Sequence, residues 1–254
     1  MILVATGCSG LPERNPLPES LSDTAGIPGI AGARYWADEP PPETDDWFKL
    51  TKEQLKTQYP AAYGQPHNYL AISGGGQRGA FGAGLLCGWT VTGKRPQFTM
   101  VTGISTGALI APFAFLGPQY DPVIKEIYTR YSTSDIVEKR SLLKSLLGDA
   151  AADTSPLQEK IAKYVDEDVM AAIAAEYAKG RVLDLVTTNL DAARPVAWNI
   201  GRIASNGTPE ALQLIRDIML ASASIPAAFP PVMFDVEANG QLYDELHVDG
   251  GATS

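Results

Sequence analysis

The passage from Phe98 to Leu116 constrains this chain more than any other. Phe98–Thr102 reads as a strand, Gly103-Ile104-Ser105-Thr106-Gly107 follows, and Ala108–Leu116 is an apolar helix entry. Strand, sharp turn and helix in immediate succession call for an α/β fold. In such an elbow the serine hydroxyl projects at the strand's end, and Gly103 and Gly107 leave room for close backbone on either side. The helix N-terminus beneath the turn offers free N–H groups and the positive end of its dipole. The competing reading of Ser105 is a helix N-cap, a role that serine fills well.

The rest of the chain fits that architecture. Tyr69–Ile72 is a short apolar run, and a small-residue helix spans Ala80 to about Thr92. Pro122–Tyr131, Leu157–Lys179 and Pro209–Ala221 have helical periodicity. Val182–Thr188, Pro195–Ile200 and Leu242–Val248 read as strands. Strands alternating with helices predict a three-layer α/β/α fold with a mainly parallel central sheet.

A hydrolytic serine needs a base. The chain has two histidines, His67 and His247. His67 precedes the first strand of this region, and His247 stands two residues before Asp249. The order serine, acid, distant later histidine is therefore not met, so either the serine is not catalytic or its base is a carboxylate. The run Gly74-Gly75-Gly76-Gln77-Arg78-Gly79 follows a strand and opens a helix. Amides in such a loop converge on one concavity and cradle negative charge. As a dinucleotide loop it lacks its acidic partner, because no Asp or Glu occurs from Gly74 to Tyr120. As an oxyanion hole it would stabilise the charge of a tetrahedral intermediate, with Arg78 adding positive potential at the mouth. The competing role for Arg78 is a structural salt bridge. Asp249-Gly250-Gly251 ends a late apolar strand and, alone, reads as an ordinary Asp-Gly turn.

Taken in order, Gly74–Gly79, Gly103–Gly107 and Asp249–Gly251 resemble the patatin-like phospholipase family, and Ala221–Val232 looks like the segment ahead of that family's aspartate. The resemblance runs from about Tyr69 to the C-terminus. It implies a Ser–Asp dyad: Ser105 attacks an acyl carbonyl, Asp249 takes its proton and later activates water, and the loop amides hold the oxyanion. It implies an acyl ester of a lipid as substrate, with no cofactor and no metal. Ser73 departs from the pattern, standing where many members carry aspartate, and His247 stands where an aromatic is common. Members generally continue past the position of Ser254, so the resemblance also reads this chain as truncated at its C-terminus. A serine acyltransferase or thioesterase would use the same dyad, and a non-catalytic envelope protein binding lipid or a partner is a reading from another class.

With 254 residues, 45% of them hydrophobic, the chain has material for one large α/β domain. Twenty basic against 29 acidic side chains, a formal charge of -9, disfavour nucleic acid as a partner. The same balance disfavours docking to anionic lipid by charge alone. Residues 67–254 read as the catalytic domain and 1–66 as an N-terminal segment and lead-in. Ser9 to about Pro66 is rich in Pro, Gly and polar residues, reading as a linker with a short helix near Lys52–Gln58. The opening Met-Ile-Leu-Val-Ala-Thr-Gly-Cys is partly like a lipoprotein signal, with Cys8 as the lipidated residue. That reading expects a membrane-anchored protein of the bacterial envelope; without it, a cytoplasmic one. Cys87, in an apolar stretch, reads as an inert buried thiol. Pro112, Phe113, Phe115 and Ile225–Pro231 are candidate walls of an acyl channel.

Overall fold

A computed structural model describes residues 14–42, 44, 48–60, 63–64, 66–130, 138–139 and 152–253. Cys8 and the rest of the lipoprotein-like opening lie outside them. Nine strands are described: β1 Arg34–Trp36, β2 Tyr69–Ile72, β3 Met100–Ile104, β4 Glu138–Lys139, β5 Ala152–Asp153, β6 Val182–Asn189, β7 Arg194–Asn199, β8 Val232–Ala238 and β9 Gln241–Asp249. The helices are α1 Lys52–Gln58, α2 Gly79–Val91, α3 Thr106–Leu116, α4 Asp121–Arg130, α5 Ser155–Tyr164, α6 Glu167–Tyr177, α7 Ile200–Ala204 and α8 Pro209–Ser222.

Seven strands form one sheet, in which β1, β7, β6, β3 and β2 are successive neighbours, β9 joins β6, and β8 joins β9. The expected mainly parallel sheet is corrected here. Only β2–β3 and β3–β6 are parallel; β1–β7, β6–β7, β6–β9 and β8–β9 are antiparallel. Helical crossovers make the parallel pairs, whereas two hairpins make β6–β7 and β8–β9. The second hairpin turns on Asn239-Gly240, with φ of 52° and 74°, the left-handed pair that a type I′ turn requires.

β6 organises the site. One of its edges pairs with β7. The other is shared end to end, with β3 opposite Val182–Val186 and β9 opposite Thr187–Asn189. Helix α3 packs on β3 and β6, and α8 packs on β6 and β9. The carbonyls at the end of α3 are well held. Arg95 donates to Ala114 O, Arg181 to Phe115 O and Gln119 to Leu116 O. Cations at that end also complement the helix dipole. Arg95 is further paired with Asp121 at 2.7 Å, and Arg181 with Glu176 at 2.7 Å.

Three other expectations change. Leu157–Lys179 divides into α5 and α6, because Asp166 breaks the run and caps α6 by accepting from the Val169 amide. The linker-like stretch is partly built into the sheet: β1 pairs with β7, and Arg14 bridges Asp191 and Asp244. Pro112, Phe113 and Phe115 are buried within α3 and belong to the core, not to a channel wall. Phe113 borders an apolar cavity of only about 40 Å³, far short of an acyl chain.

Candidate active site

The elbow forms as its residues demand. Ser105 sits between β3 and α3 with φ 56° and ψ -127°, a costly conformation for a residue with a side chain. Its side chain does not cap α3, so the N-cap reading does not account for it. Gly107 is required by close approach, since a Cβ there would overlap the Ile72 carbonyl. At Gly103 a Cβ would lie 2.7 Å from both the Ala111 Cβ and Gly107 O. Ser105 is 6% exposed, a hydroxyl at the rim of the core.

The glycine loop lies against this serine. A Cβ on Gly74 would stand 2.8 Å from Ser105 Cβ and 3.4 Å from its Oγ. Gly75 and Gly76 have φ of 151° and 56°, which side-chain-bearing residues rarely adopt. Gly76–Arg78 makes one 3-10 turn before Gly79 opens α2. Gln77 and Arg78 are exposed on this turn. Gly79 touches the far side of the elbow, where a Cβ would be 2.9 Å from Thr106 Oγ1. Tyr128 donates to Thr106 O, and burial pushes its phenol up to about 12.

Asp249 arrives by the sheet. Along the shared edge of β6, Ile104 stands opposite Val186 and Asp249 stands opposite Thr187. Ser105, next after Ile104, leaves the sheet at the position along β6 where Asp249, 144 positions later in sequence, takes up the edge. Asp249 is 6% exposed; its Oδ1 accepts the Gly251 amide at 2.8 Å, and its own amide donates to Ser224 O at 2.9 Å. The Asp-Gly turn reading is thus also realised, and the turn fixes the carboxylate. Gly250 is needed here because a Cβ would overlap Val186 O.

Neither ring nitrogen of His247 bonds to Ser105 or Asp249. The residue is fully buried between Trp198 and Phe234. Trp198 Nε1 donates to Thr187 Oγ1, which leaves that hydroxyl proton for His247 Nδ1 at 2.8 Å. The imidazole then carries its proton on Nε2 and donates to Glu245 at 3.2 Å. Burial holds His247 below its ordinary value, against the raising pull of Glu245. Burial would raise Glu245, but bonds from His247 and Arg34 overcome it and bring it to about 2. The histidine is a neutral packing element, and Arg34 supplies the countercharge.

Sequence reasoning missed Ser222. It is fully buried at the end of α8. Its Oγ accepts the Ser105 amide at 3.0 Å and donates to Val186 O at 2.7 Å. A hydroxyl closing an apolar helix was the available signal. Ile225, next along the surface loop that follows, is 45% exposed, and Pro226 and Ala227 are exposed with it. Among the described residues no cluster of three or more His, Cys, Asp or Glu is arranged to hold a metal ion, and no helix is long and apolar enough to cross a membrane.

A strand–serine–helix elbow walled by a glycine loop, on a sheet that also carries a strand-end aspartate, defines an α/β protein with a serine elbow. The family model for patatin-like phospholipase matches residues 70–254, well over half of the chain, and the chain belongs to that family. The crystal structure of VipD from Legionella pneumophila is similar with a TM-score of 0.45 at 15% identity, covering 75% of this chain and 47% of that one. The chain thus spans about half the length of that protein. No curated protein matches it.

Proposed function

We propose that this protein is a serine lipid acyl hydrolase that cleaves acyl esters with Ser105 and Asp249. The observation that carries the reading is the shared edge of β6, where Ile104 and Asp249 occupy successive positions. Ser105 Oγ attacks the acyl carbonyl carbon while Asp249 accepts its proton. The Gly251 amide occupies Oδ1, so Oδ2 is the oxygen assigned to that proton. The carbonyl oxygen becomes an oxyanion, held by amides of the Gly74–Gly79 loop with Arg78 at the mouth. Collapse expels the alcohol, which leaves with the proton from Asp249. Water then attacks the acyl-serine, gives a proton to Asp249, and releases the acid and free Ser105. The apolar loop from Ile225 to Pro231 begins one residue after the carbonyl that holds Asp249, and we assign it to the acyl side of the mouth.

The test is hydrolysis of a medium-chain p-nitrophenyl ester and of a phospholipid. Asp249→Asn should lower kcat by on the order of 10²–10⁴-fold, and Ser105→Ala should abolish turnover. Equal rates for wild type and Asp249→Asn would remove Asp249 from the mechanism. A lipid tether at Cys8 belongs to the same proposal; membrane fractionation of wild type against Cys8→Ala tests it, and equal partitioning would refute it.

A further inference from the structure

We propose that Ser222 is a positioning residue for the nucleophile: its hydroxyl pins the Ser105 amide to the point where β6 changes partner. The inference rests on the assignment of Ser105 as nucleophile.

Two backbone groups are left over at that point. Ser105 lies past the end of the β3 ladder, so its buried N–H has no strand partner. Val186 is the last β6 residue opposite β3, and Thr187 is the first opposite β9. The Val186 carbonyl at this seam takes the Ser222 hydroxyl at 2.7 Å, while Ser222 Oγ accepts the Ser105 amide at 3.0 Å. One hydroxyl is thus both donor and acceptor and closes both groups. Buried orphan backbone groups are costly, so the bridge is strongly favoured where it stands.

The bridge has two chemical consequences. Ser105 holds a strained φ of 56°, and its amide is the nearest handle by which the fold can keep that conformation. The same amide, once bound to Ser222, is unavailable to an oxyanion, which leaves that work to other amides such as those of the Gly74–Gly79 loop. Two residues on, Ser224 O holds the Asp249 amide. The turn at 222–224 therefore sets the nucleophile through a side chain and the base through its backbone. Loss of the Ser222 hydroxyl should disturb the first and spare the second.

The experiment measures the second-order rate of Ser105 phosphonylation by a fluorophosphonate, with Tm and ester kcat and KM, for wild type, Ser222→Ala and Ser222→Cys. Ser222→Ala should lower the phosphonylation rate and kcat about tenfold or more, by displacing the nucleophile, with KM little changed. Ser222→Cys, of similar shape but with a weaker donor, should fall between. A lowered Tm with an unchanged phosphonylation rate would make Ser222 merely structural and overturn the proposal. Should neither variant fold, amide hydrogen exchange in the wild type still decides: the Ser105 amide should be protected, and rapid exchange would refute the bridge. Absence of any Ser105 labelling in folded wild type would instead sink the assignment of the nucleophile.

Discussion

Gly74→Ala separates the geometry of the site from the stability of the fold. The φ of Gly74 lies outside the left-handed region and the residue is exposed, so alanine is tolerated by the backbone there. The new methyl, however, would stand 2.8 Å from Ser105 Cβ, where ordinary contact begins at 3.4 Å. Ser105 or the loop must therefore yield by about 0.6 Å, and Ser105 is already held in a strained conformation. Misplacement of a reacting group by about 1 Å costs on the order of 10²-fold in rate, so kcat should fall roughly 10–100-fold, about 1.4–3 kcal/mol in the barrier. Reduced freedom of the unfolded chain offsets the local strain, and Tm should move by no more than about 2–4 °C. Gly84→Ala is the control: its Cβ would meet nothing within 4 Å in the interior of α2, and it should keep full activity. Steady-state ester hydrolysis and a thermal melt of each variant complete the assay. Activity of Gly74→Ala within twofold of wild type, with an unchanged melt, would refute the reasoning.

Acid should unfold the protein through the buried Glu245–His247 pair. Below pH 6.5 the unfolded chain protonates His247 while the fold keeps it neutral, so stability falls with pH. Glu245, about 2 in the fold against 4.5 ordinarily, adds a further loss between those values, roughly 3 kcal/mol when complete. Urea unfolding at about pH 7, about pH 5 and about pH 3 would follow the His247 loss and then the larger part of the Glu245 loss, and equal stabilities would contradict the network. Arg34→Met leaves Glu245, with a side chain 1% exposed, as an uncompensated buried charge; a loss of about 3–5 kcal/mol by chemical denaturation is expected. Gly107→Ala should fail to accumulate as folded protein, because its methyl overlaps the Ile72 carbonyl and neither backbone can retreat; soluble expression with a normal melt would contradict this. Cys87 should react with a thiol reagent only on unfolding, since burial, the larger effect, and Asp121 both push its thiol up.

The elements written in local pattern were legible in the sequence. The bounds of α1 and β2 follow directly from it, and the elbow at Ser105 was readable because its flanking glycines fall between an apolar strand and an apolar helix entry. The sense of strand pairing was not legible from alternation alone. β8 was missed, lying just beyond a stretch read as a channel wall, although Asn239-Gly240 announced the hairpin that contains it. β1 was missed because three residues in a proline-rich lead-in carry no periodic signal, and pairing with β7 alone makes them a strand. The succession of Ile104 and Asp249 depends on β3 and β9 sharing one edge of β6, a long-range register that neither motif encodes. Ser222 escaped notice for the same reason, since both of its partners lie far away in the chain.

The central claim is that Ser105 is a nucleophile activated by a carboxylate beside it. Treating the full chain with a fluorophosphonate and locating the adduct by peptide mass spectrometry tests it most directly. The account predicts one phosphonate, on Ser105, formed rapidly in wild type and far more slowly in Asp249→Asn. An adduct on another residue, or labelling of Ser105 at the same rate without the Asp249 carboxylate, would contradict it.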